Sequence, residues 1–153
     1  MGTIDIRREP FDAPAAAALL TELDADLARR YGDDEAVDAE PGEFTPPAGL
    51  FLVLYLDGEP LACGGFRQYD DATAELKRMY VRPEGRGRGL ARALLAELES
   101  AATEAGYARM WLETGVPQHE AMSLYSSAGY QSIPSFGQFA WAPEQRCYGK
   151  ELG

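Results

Sequence analysis

A turn rich in arginine and glycine, placed between a strand and a helix, limits the folds open to this chain of 153 residues. Residues 81–95 read VRPEGRGRGLARALL, and apolar residues at helical spacing follow the turn. The first N–H groups of a helix lack intrahelical partners and lie at the positive end of its dipole. A loop whose glycines let the backbone curl can therefore hold phosphates there. The turn also carries the positively charged side chains Arg86, Arg88 and Arg92. The sequence thus predicts an anion site.

Two common phosphate-binding motifs do not fit this turn. A P-loop requires a Lys followed by Ser or Thr where the helix begins, but Gly89 is followed by Leu90 and Ala91. A dinucleotide fingerprint requires a third glycine, and Arg92 stands at that position. A nucleoside triphosphate and a dinucleotide are therefore both disfavoured as the ligand.

The turn and a second segment together resemble a known family. Arg86, Gly89 and Ala91 reproduce a pattern of Arg or Gln, two residues, Gly, one residue, then Gly or Ala. Residues 121–130 read AMSLYSSAGY and supply an Ala, a Leu-Tyr pair and a Gly-Tyr pair. These segments are similar to the two signatures of the GNAT acetyltransferase superfamily. The resemblance implies that acetyl-CoA binds along the turn, in contact with Arg86, Gly87, Arg88, Gly89, Leu90, Ala91 and Arg92.

The resemblance also implies a general acid. Tyr125 is the tyrosine of the second signature, and in the superfamily this hydroxyl often returns a proton to the CoA sulfur. The alternative for Tyr125 is a core residue of an amphipathic helix, beside Leu124 and Ala121.

Glu75 is the candidate general base. In some GNAT enzymes a carboxylate at the matching strand position deprotonates the amine through water. Strand alternation predicts that Glu75 shares one face with Lys77, Met79 and Val81. The alternative for Glu75 is a half-exposed strand residue paired with Lys77 or Arg78.

Other contacts follow from the same resemblance. Superfamily strands before this turn commonly carry a bulge, so the main chain of Met79 and Val81 is expected to bind the thioester oxygen and the pantetheine. Gln118 stands where many members have an Asn that touches pantetheine, while His119 fits a helix start better than a catalytic role. The segment from Phe136 to Trp141 either lines an acceptor pocket or packs in the core.

The pattern of apolar residues predicts one α+β domain over residues 1–153. In its middle part, the hairpin signal at 57–59 predicts two adjacent strands, and the apolar repeat from Leu90 to Ala102 predicts a helix. The sequence predicts strands at 3–8, 50–56, 60–69, 74–81, 109–114, 130–133 and 146–152, and helices at 14–30, 89–105 and 119–128. This order is similar to that of GNAT domains, which implies a mixed, mostly antiparallel, seven-stranded sheet flanked by helices on both faces.

Composition excludes several classes of protein. A formal net charge of −11 argues against nucleic-acid binding, because phosphate contacts supply most of that affinity. The longest apolar run, Leu50–Leu56, is too short to span a bilayer, and Asp5 and Glu9 stand where a signal peptide would be basic and then apolar. We therefore expect a cytoplasmic location. The two cysteines lie far apart and the chain has one histidine, so we also expect reduced thiols and no metal site.

Much of the negative charge falls in the segment 31–48. This segment contains no Lys or Arg and carries the acidic residues Asp33, Asp34, Glu35, Asp38, Glu40 and Glu43. Two interpretations stay open: a solvated loop, or a negatively charged lip that attracts an amine.

These observations predict an N-acetyltransferase that moves the acetyl group of acetyl-CoA to a primary amine of a small molecule or peptide by direct attack. One alternative is a protein-lysine acyltransferase or an enzyme that uses another acyl-CoA. A second is a non-catalytic module that binds or senses acyl-CoA. Glu75 and Tyr125 disfavour the module, because a sensor needs neither residue. The sequence leaves open the identity of the acceptor and whether the chain forms a homodimer.

Overall fold

The computed structural model describes residues 2–31, 41–115, 119–134, 136 and 145–152. Within these residues, seven strands and three α-helices follow the predicted order. The strands are β1 (Ile4–Arg8), β2 (Leu50–Leu56), β3 (Glu59–Asp70), β4 (Thr73–Val81), β5 (Arg109–Gly115), β6 (Gln131–Ser132) and β7 (Gln145–Glu151). The helices are α1 (Pro14–Tyr31), α2 (Leu90–Glu104) and α3 (His119–Ser127), with short 3-10 helices at Pro41–Phe44 and Pro83–Gly85.

The seven strands form one sheet in the order β1-β2-β3-β4-β5-β7-β6. Neighbouring strands are antiparallel except β4 and β5, which are parallel. Helix α1 packs on one face of the sheet and α2 on the other, and we call these the α1 face and the α2 face. The predicted α+β architecture, with a mixed and mostly antiparallel sheet between helices, is therefore confirmed.

Strand β2 is apolar along its whole length because both of its faces are buried. Leu52 and Leu54 pack in the α2-face core, which also contains Leu98 of α2. Phe51 and Val53 pack in the α1-face core. The apolar stripe of α2 thus finds its partner in alternate residues of the central strands.

Truncating Leu98 tests this packing. Leu98 is fully buried (0% exposed), so Leu98→Ala is expected to lower the free energy of unfolding by about 2–5 kcal/mol. Glu97→Ala on the exposed side of the same helix serves as the control and should change it by less than about 0.5 kcal/mol. Urea unfolding followed by circular dichroism measures both, and equal losses would contradict the packing.

Strand β4 contains a bulge that reverses which way its residues face. Cys63 pairs with Tyr80 and Gly65 pairs with Lys77, so two residues of β4, Arg78 and Met79, oppose Gly64 alone. Arg78 has a left-handed backbone with φ of +63°. A side chain at residue 64 would place its Cβ 2.6 Å from the sulfur of Met79, so glycine leaves room for that residue. The bulge expected before the turn is thus present.

One expectation about β4 is wrong because of this bulge. Glu75 and Lys77 lie on the α1 face, since their neighbour Leu76 packs in the α2-face core. Met79 and Val81 also pack against the α2-face core, so they lie on the opposite side of the sheet from Glu75. The extra residue inverts the alternation halfway along the strand, so the four residues that simple alternation places on one face are divided between the two faces.

Strands β4 and β5 pair over a short distance and then part. Their ladder joins Thr73, Ala74 and Glu75 to residues 109–111. In the part of the chain that the structure describes, no ladder joins them further on, although β4 continues to Val81 and β5 to Gly115. The sheet therefore has an opening between its two central parallel strands.

Candidate active site

A cleft of about 520 Å³ lies beside this opening. The α1 face contributes Leu23 and Tyr80 to its wall, whereas the α2 face contributes Leu90 and Tyr125. Of the residues predicted to bind the acyl donor, those that line the cleft are Met79, Val81, Arg86, Gly87, Gly89, Leu90, Ala91 and Arg92. Arg88 is exposed and does not line it.

The turn presents backbone N–H groups to the cleft. Gly87 and Gly89 have φ of +77° and +76°, a left-handed conformation that glycine adopts without strain. Gly89 is the N-cap of α2, and its carbonyl accepts the first helical hydrogen bond, from the N–H of Ala93, at 3.1 Å. The three amides between these residues precede that bond and so have no partner within the helix. Amides of this kind, at the positive end of α2, can hold an anion.

Two arginines of the turn are held by hydrogen bonds. Arg86 donates from Nε to the carbonyl of Val81 at 3.0 Å, which ties the turn to the end of β4. Arg92 donates from Nη2 to the hydroxyl of Ser127 at 2.6 Å and so connects α2 to α3. The positive charge of Arg86 and Arg92 is therefore fixed at the cleft wall, which suits an anionic ligand.

Tyr125 lies on α3 and both packs in the core and lines the cleft. Its side chain is buried and meets the ring of Tyr130 edge-on, with ring centroids 5.8 Å apart. Burial raises the pKa of the Tyr125 hydroxyl, so the hydroxyl keeps its proton at neutral pH. A protonated hydroxyl at a cleft wall can donate a proton to a ligand, which meets the first requirement of a general acid.

Glu75 is part of a charged cluster on the α1 face, in which the side chains of Arg67, Glu75, Lys77 and Glu113 are largely buried and that of Glu43 is exposed. Arg67 donates to Oε1 of Glu75 at 3.1 Å, and the ammonium of Lys77 lies 3.5 Å from Oε2. Lys77 also lies 3.7 Å from Glu113, while Arg67 reaches Glu43 at 2.8 Å. Within the described chain, Oε2 of Glu75 accepts no hydrogen bond although it is buried. Burial raises the pKa of Glu113, and the nearby ammonium of Lys77 opposes this shift.

The cluster shows which residues pair with Glu75. Its carboxylate pairs with Lys77, one of the two partners considered, and with Arg67, which sequence reasoning missed. The other candidate, Arg78, pairs with Asp24 of α1 at 2.8 Å instead. The structure brings the turn and Tyr125 together at the cleft, whereas Glu75 does not line it and belongs to the last pair of the ladder between β4 and β5.

Several predicted residues lie outside the described part of the chain. These are Gln118, Phe139, Trp141 and the acidic residues Asp33, Asp34, Glu35, Asp38 and Glu40, and the side chain of His119 also falls outside. Phe136 is buried and packs against Tyr69 and Trp111. Cys63 and Cys147, both within the described residues, are buried and form no disulfide, and burial raises the pKa of Cys63 to about 12. No helix among the described residues is long and apolar enough to cross a membrane.

Comparisons with known proteins agree with this geometry. Residues 16–130 match the model of the Acetyltransferase (GNAT) family. The chain is 31% identical to the IAA acetyltransferase of Azospirillum brasilense over 144 residues, which cover 94% of both chains. It is 30% identical to the N-acetyltransferase YjgM of Escherichia coli over 134 residues, covering 80% of this chain and 78% of YjgM.

Solved structures share the fold. A Klebsiella pneumoniae protein assigned as an acyl-CoA N-acyltransferase superposes with a TM-score of 0.82 at 27% identity, covering 99% of both chains. The PaiA N-acetyltransferase of Thermoplasma acidophilum, solved with coenzyme A, superposes with a TM-score of 0.72 at 16% identity, covering 97% of this chain and 99% of PaiA. The chain belongs to the GNAT acetyltransferase family. It is an acyltransferase whose acyl donor is acetyl-CoA.

Proposed function

We propose that this enzyme acetylates the primary amine of a small molecule or peptide, by direct attack of the amine on the thioester of acetyl-CoA. The observation that carries the proposal is the cleft at the opening between β4 and β5, which joins an anion site at the start of α2 to a buried tyrosine hydroxyl. A donor bound in this cleft presents its thioester where the sheet is open, so an amine can approach from the α1 face.

Different residues bind different parts of the donor. The backbone amides at the start of α2, with Gly87 and Gly89, hold the pyrophosphate, and Arg86 and Arg92 add charge beside it. The main chain of Met79 and Val81, beyond the bulge, binds the pantetheine and the thioester oxygen. These roles suit a negatively charged, extended ligand, because the amides and the arginines supply donors along one wall.

The reaction requires several proton transfers. An acceptor that arrives as an ammonium first loses one proton to a base, which frees the lone pair on its nitrogen. The nitrogen then forms a bond to the acetyl carbon, the bond from that carbon to sulfur breaks, and the nitrogen releases a second proton to solvent. Tyr125 donates its hydroxyl proton to the departing sulfur and regains a proton from water. A backbone N–H of the bulge stabilises the negative charge that develops on the thioester oxygen.

Glu75 is the proposed base. Arg67 and Lys77 contact its carboxylate, and its Oε2 accepts no hydrogen bond within the described chain. A carboxylate oxygen with this spare capacity can accept a hydrogen bond from the acceptor nitrogen or from a water that carries its proton. The opening between the strands gives the amine a route from this face to the thioester.

Replacing Glu75 tests the base. Glu75→Gln keeps the shape of the side chain and is expected to lower kcat/KM about 10²-fold while leaving the affinity for coenzyme A unchanged. Glu113→Gln is the matched variant in the same cluster. Rates measured between about pH 6 and pH 9 distinguish the two: a loss confined to Glu113→Gln would assign the base to Glu113 instead.

A panel assay tests the proposed function itself. The protein is incubated with acetyl-CoA and with amines, amino acids and peptides, and the released thiol is measured. We expect thiol release that depends on the amine, with N-acetylated product detected by mass spectrometry. Calorimetric binding of coenzyme A without any turnover would indicate a sensing module, and turnover with lysine-containing proteins alone would indicate a protein acyltransferase.

A further inference from the structure

The side chain of Met79 fills a space between the sheet and α2, a feature that the proposed mechanism does not use. A Cβ at Gly64 of β3 would lie 2.6 Å from Sδ of Met79 and 3.3 Å from Cδ1 of Leu98. Carbon atoms in contact lie about 3.5–4.0 Å apart, so the thioether occupies the space that a larger residue at position 64 would take. We call this space, bounded by Gly64 and Leu98, the Gly64 recess.

Met79 separates the Gly64 recess from the cleft. Met79 is partly exposed and lines the cleft, whereas Gly64 and Leu98 do not line it. Leu98 is fully buried in the α2-face core, which closes the recess on its far side. The methionine side chain therefore closes the recess on the side of the cleft.

The bulge in β4 places this side chain at the acyl end of the donor. On the proposed function, the main chain of Met79 binds the thioester oxygen, and Tyr125, which lines the same cleft, donates a proton to the sulfur. The side chain of Met79 lies on the α2 face, as the proposed donor does. The acyl carbon is bonded to both that oxygen and the sulfur, so the acyl chain begins beside the methionine that closes the recess.

We propose that Met79, packed over Gly64, limits the acyl group of the donor to acetyl. A methyl group fits against the thioether, whereas a longer chain would need the space that the thioether already fills. One methylene more or less in an apolar pocket changes the specificity of an enzyme about 10- to 200-fold, so a filled recess is sufficient to exclude longer chains. The inference rests on the proposed function for the position of the thioester and requires no particular acceptor.

Truncating Met79 tests the inference. Met79→Ala removes the thioether and opens the Gly64 recess to the cleft, so a butyryl chain gains that space. With one amine held constant, we expect kcat/KM for acetyl-CoA to exceed that for butyryl-CoA by about 10²-fold or more in the wild-type enzyme. Met79→Ala should lower this ratio about 10-fold or more, and Met79→Leu, which nearly conserves the volume, should preserve it.

A second substitution refills the recess from the opposite strand. Gly64 does not have a left-handed backbone, so alanine can adopt its conformation. In Met79→Ala the sulfur that blocks a Cβ at position 64 is gone, and a methyl group fits there. The double variant Gly64→Ala/Met79→Ala should therefore recover at least about 3-fold of the lost preference for acetyl-CoA. A purely structural role for Met79 predicts no such recovery.

Met110→Ala is the control, because Met110 packs in the same α2-face core but does not line the cleft. It should lower stability and leave the ratio unchanged. Thermal unfolding checks that every variant is folded, and Met110→Val is the milder form of the same control. A wild-type ratio near one, an unchanged ratio in Met79→Ala, an equal shift in Met110→Ala, or a double variant without recovery would overturn the inference.

Failure of the proposed function has a different signature. If no amine supports turnover, the proposed function is overturned, but the two acyl-CoAs can still be titrated by calorimetry in the absence of an amine. The inference then predicts that butyryl-CoA binds about 10-fold or more weakly than acetyl-CoA to the wild-type protein, and that Met79→Ala removes most of this difference. Equal dissociation constants in the wild-type protein would overturn it.

Discussion

The Gly89→Asp variant is expected to bind coenzyme A about 10³-fold more weakly than the wild-type enzyme. Gly89 is the N-cap of α2, next to the amides that are proposed to hold the pyrophosphate. An aspartate there would place a negative charge about 4 Å from the phosphates. At an effective dielectric constant of about 20, that repulsion costs about 4 kcal/mol, which corresponds to about 10³ in Kd.

Two further variants distinguish charge from bulk. A Cβ at Gly89 meets no other atom within 4 Å, so a side chain fits sterically. Gly89→Asn has the same size as Gly89→Asp and a similar tolerance of the left-handed backbone, but no charge. Arg88→Ala removes an exposed charge outside the cleft and should change Kd only a few-fold. Equal losses for Asp and Asn in a calorimetric titration would contradict a phosphate site at this turn.

The second large effect is expected for Tyr125→Phe, which should lower kcat about 10²- to 10⁴-fold. The substitution keeps the ring and its contact with Tyr130, so folding and affinity for coenzyme A should change little. Burial raises the pKa of this hydroxyl above its ordinary value of about 10. The proton is therefore present throughout the range from about pH 6 to pH 9, and the loss should be similar at every pH in it.

Tyr130→Phe is the matched control for Tyr125. Tyr130 belongs to the same aromatic pair, but its hydroxyl donates to Glu99 at 2.8 Å and it does not line the cleft. Losing that bond should lower stability by about 1–3 kcal/mol without lowering kcat. If both variants turn over at the wild-type rate, the sulfur leaves without a proton from Tyr125 and water supplies it.

The sequence predicts local features of the fold well. The predicted strand at 50–56 coincides with β2, because an apolar run that ends at a hairpin signal defines both of its ends. The start of α2 is predicted to within one residue for a similar reason, since the glycines before Leu90 stop the strand pattern and the apolar repeat begins at once. Such features depend on neighbours in the chain.

Features that depend on contacts between distant residues could not be predicted in the same way. The faces of β4 were predicted incorrectly because one extra residue near Arg78 shifts the alternation, and nothing in the side chains reveals where it is inserted. Arg67 and Glu113 were missed because they reach Glu75 and Lys77 from other strands. Charged residues within predicted strands were the available signal, but the strand order was needed to pair them.

The bulge in β4 turns the two halves of the strand toward opposite faces of the sheet. On the proposed assignment, the half before Arg78 contacts the acceptor on the α1 face, and the half after it contacts acetyl-CoA on the α2 face. Directed evolution can therefore vary residues of the acceptor half other than the proposed base Glu75 to search for new acceptors, while the donor half keeps its sequence. The number of residues in β4 is therefore constrained more strictly than their identity. Deleting Arg78 would restore regular alternation and turn Met79 and Val81 away from the α2 face, on which the donor is proposed to bind.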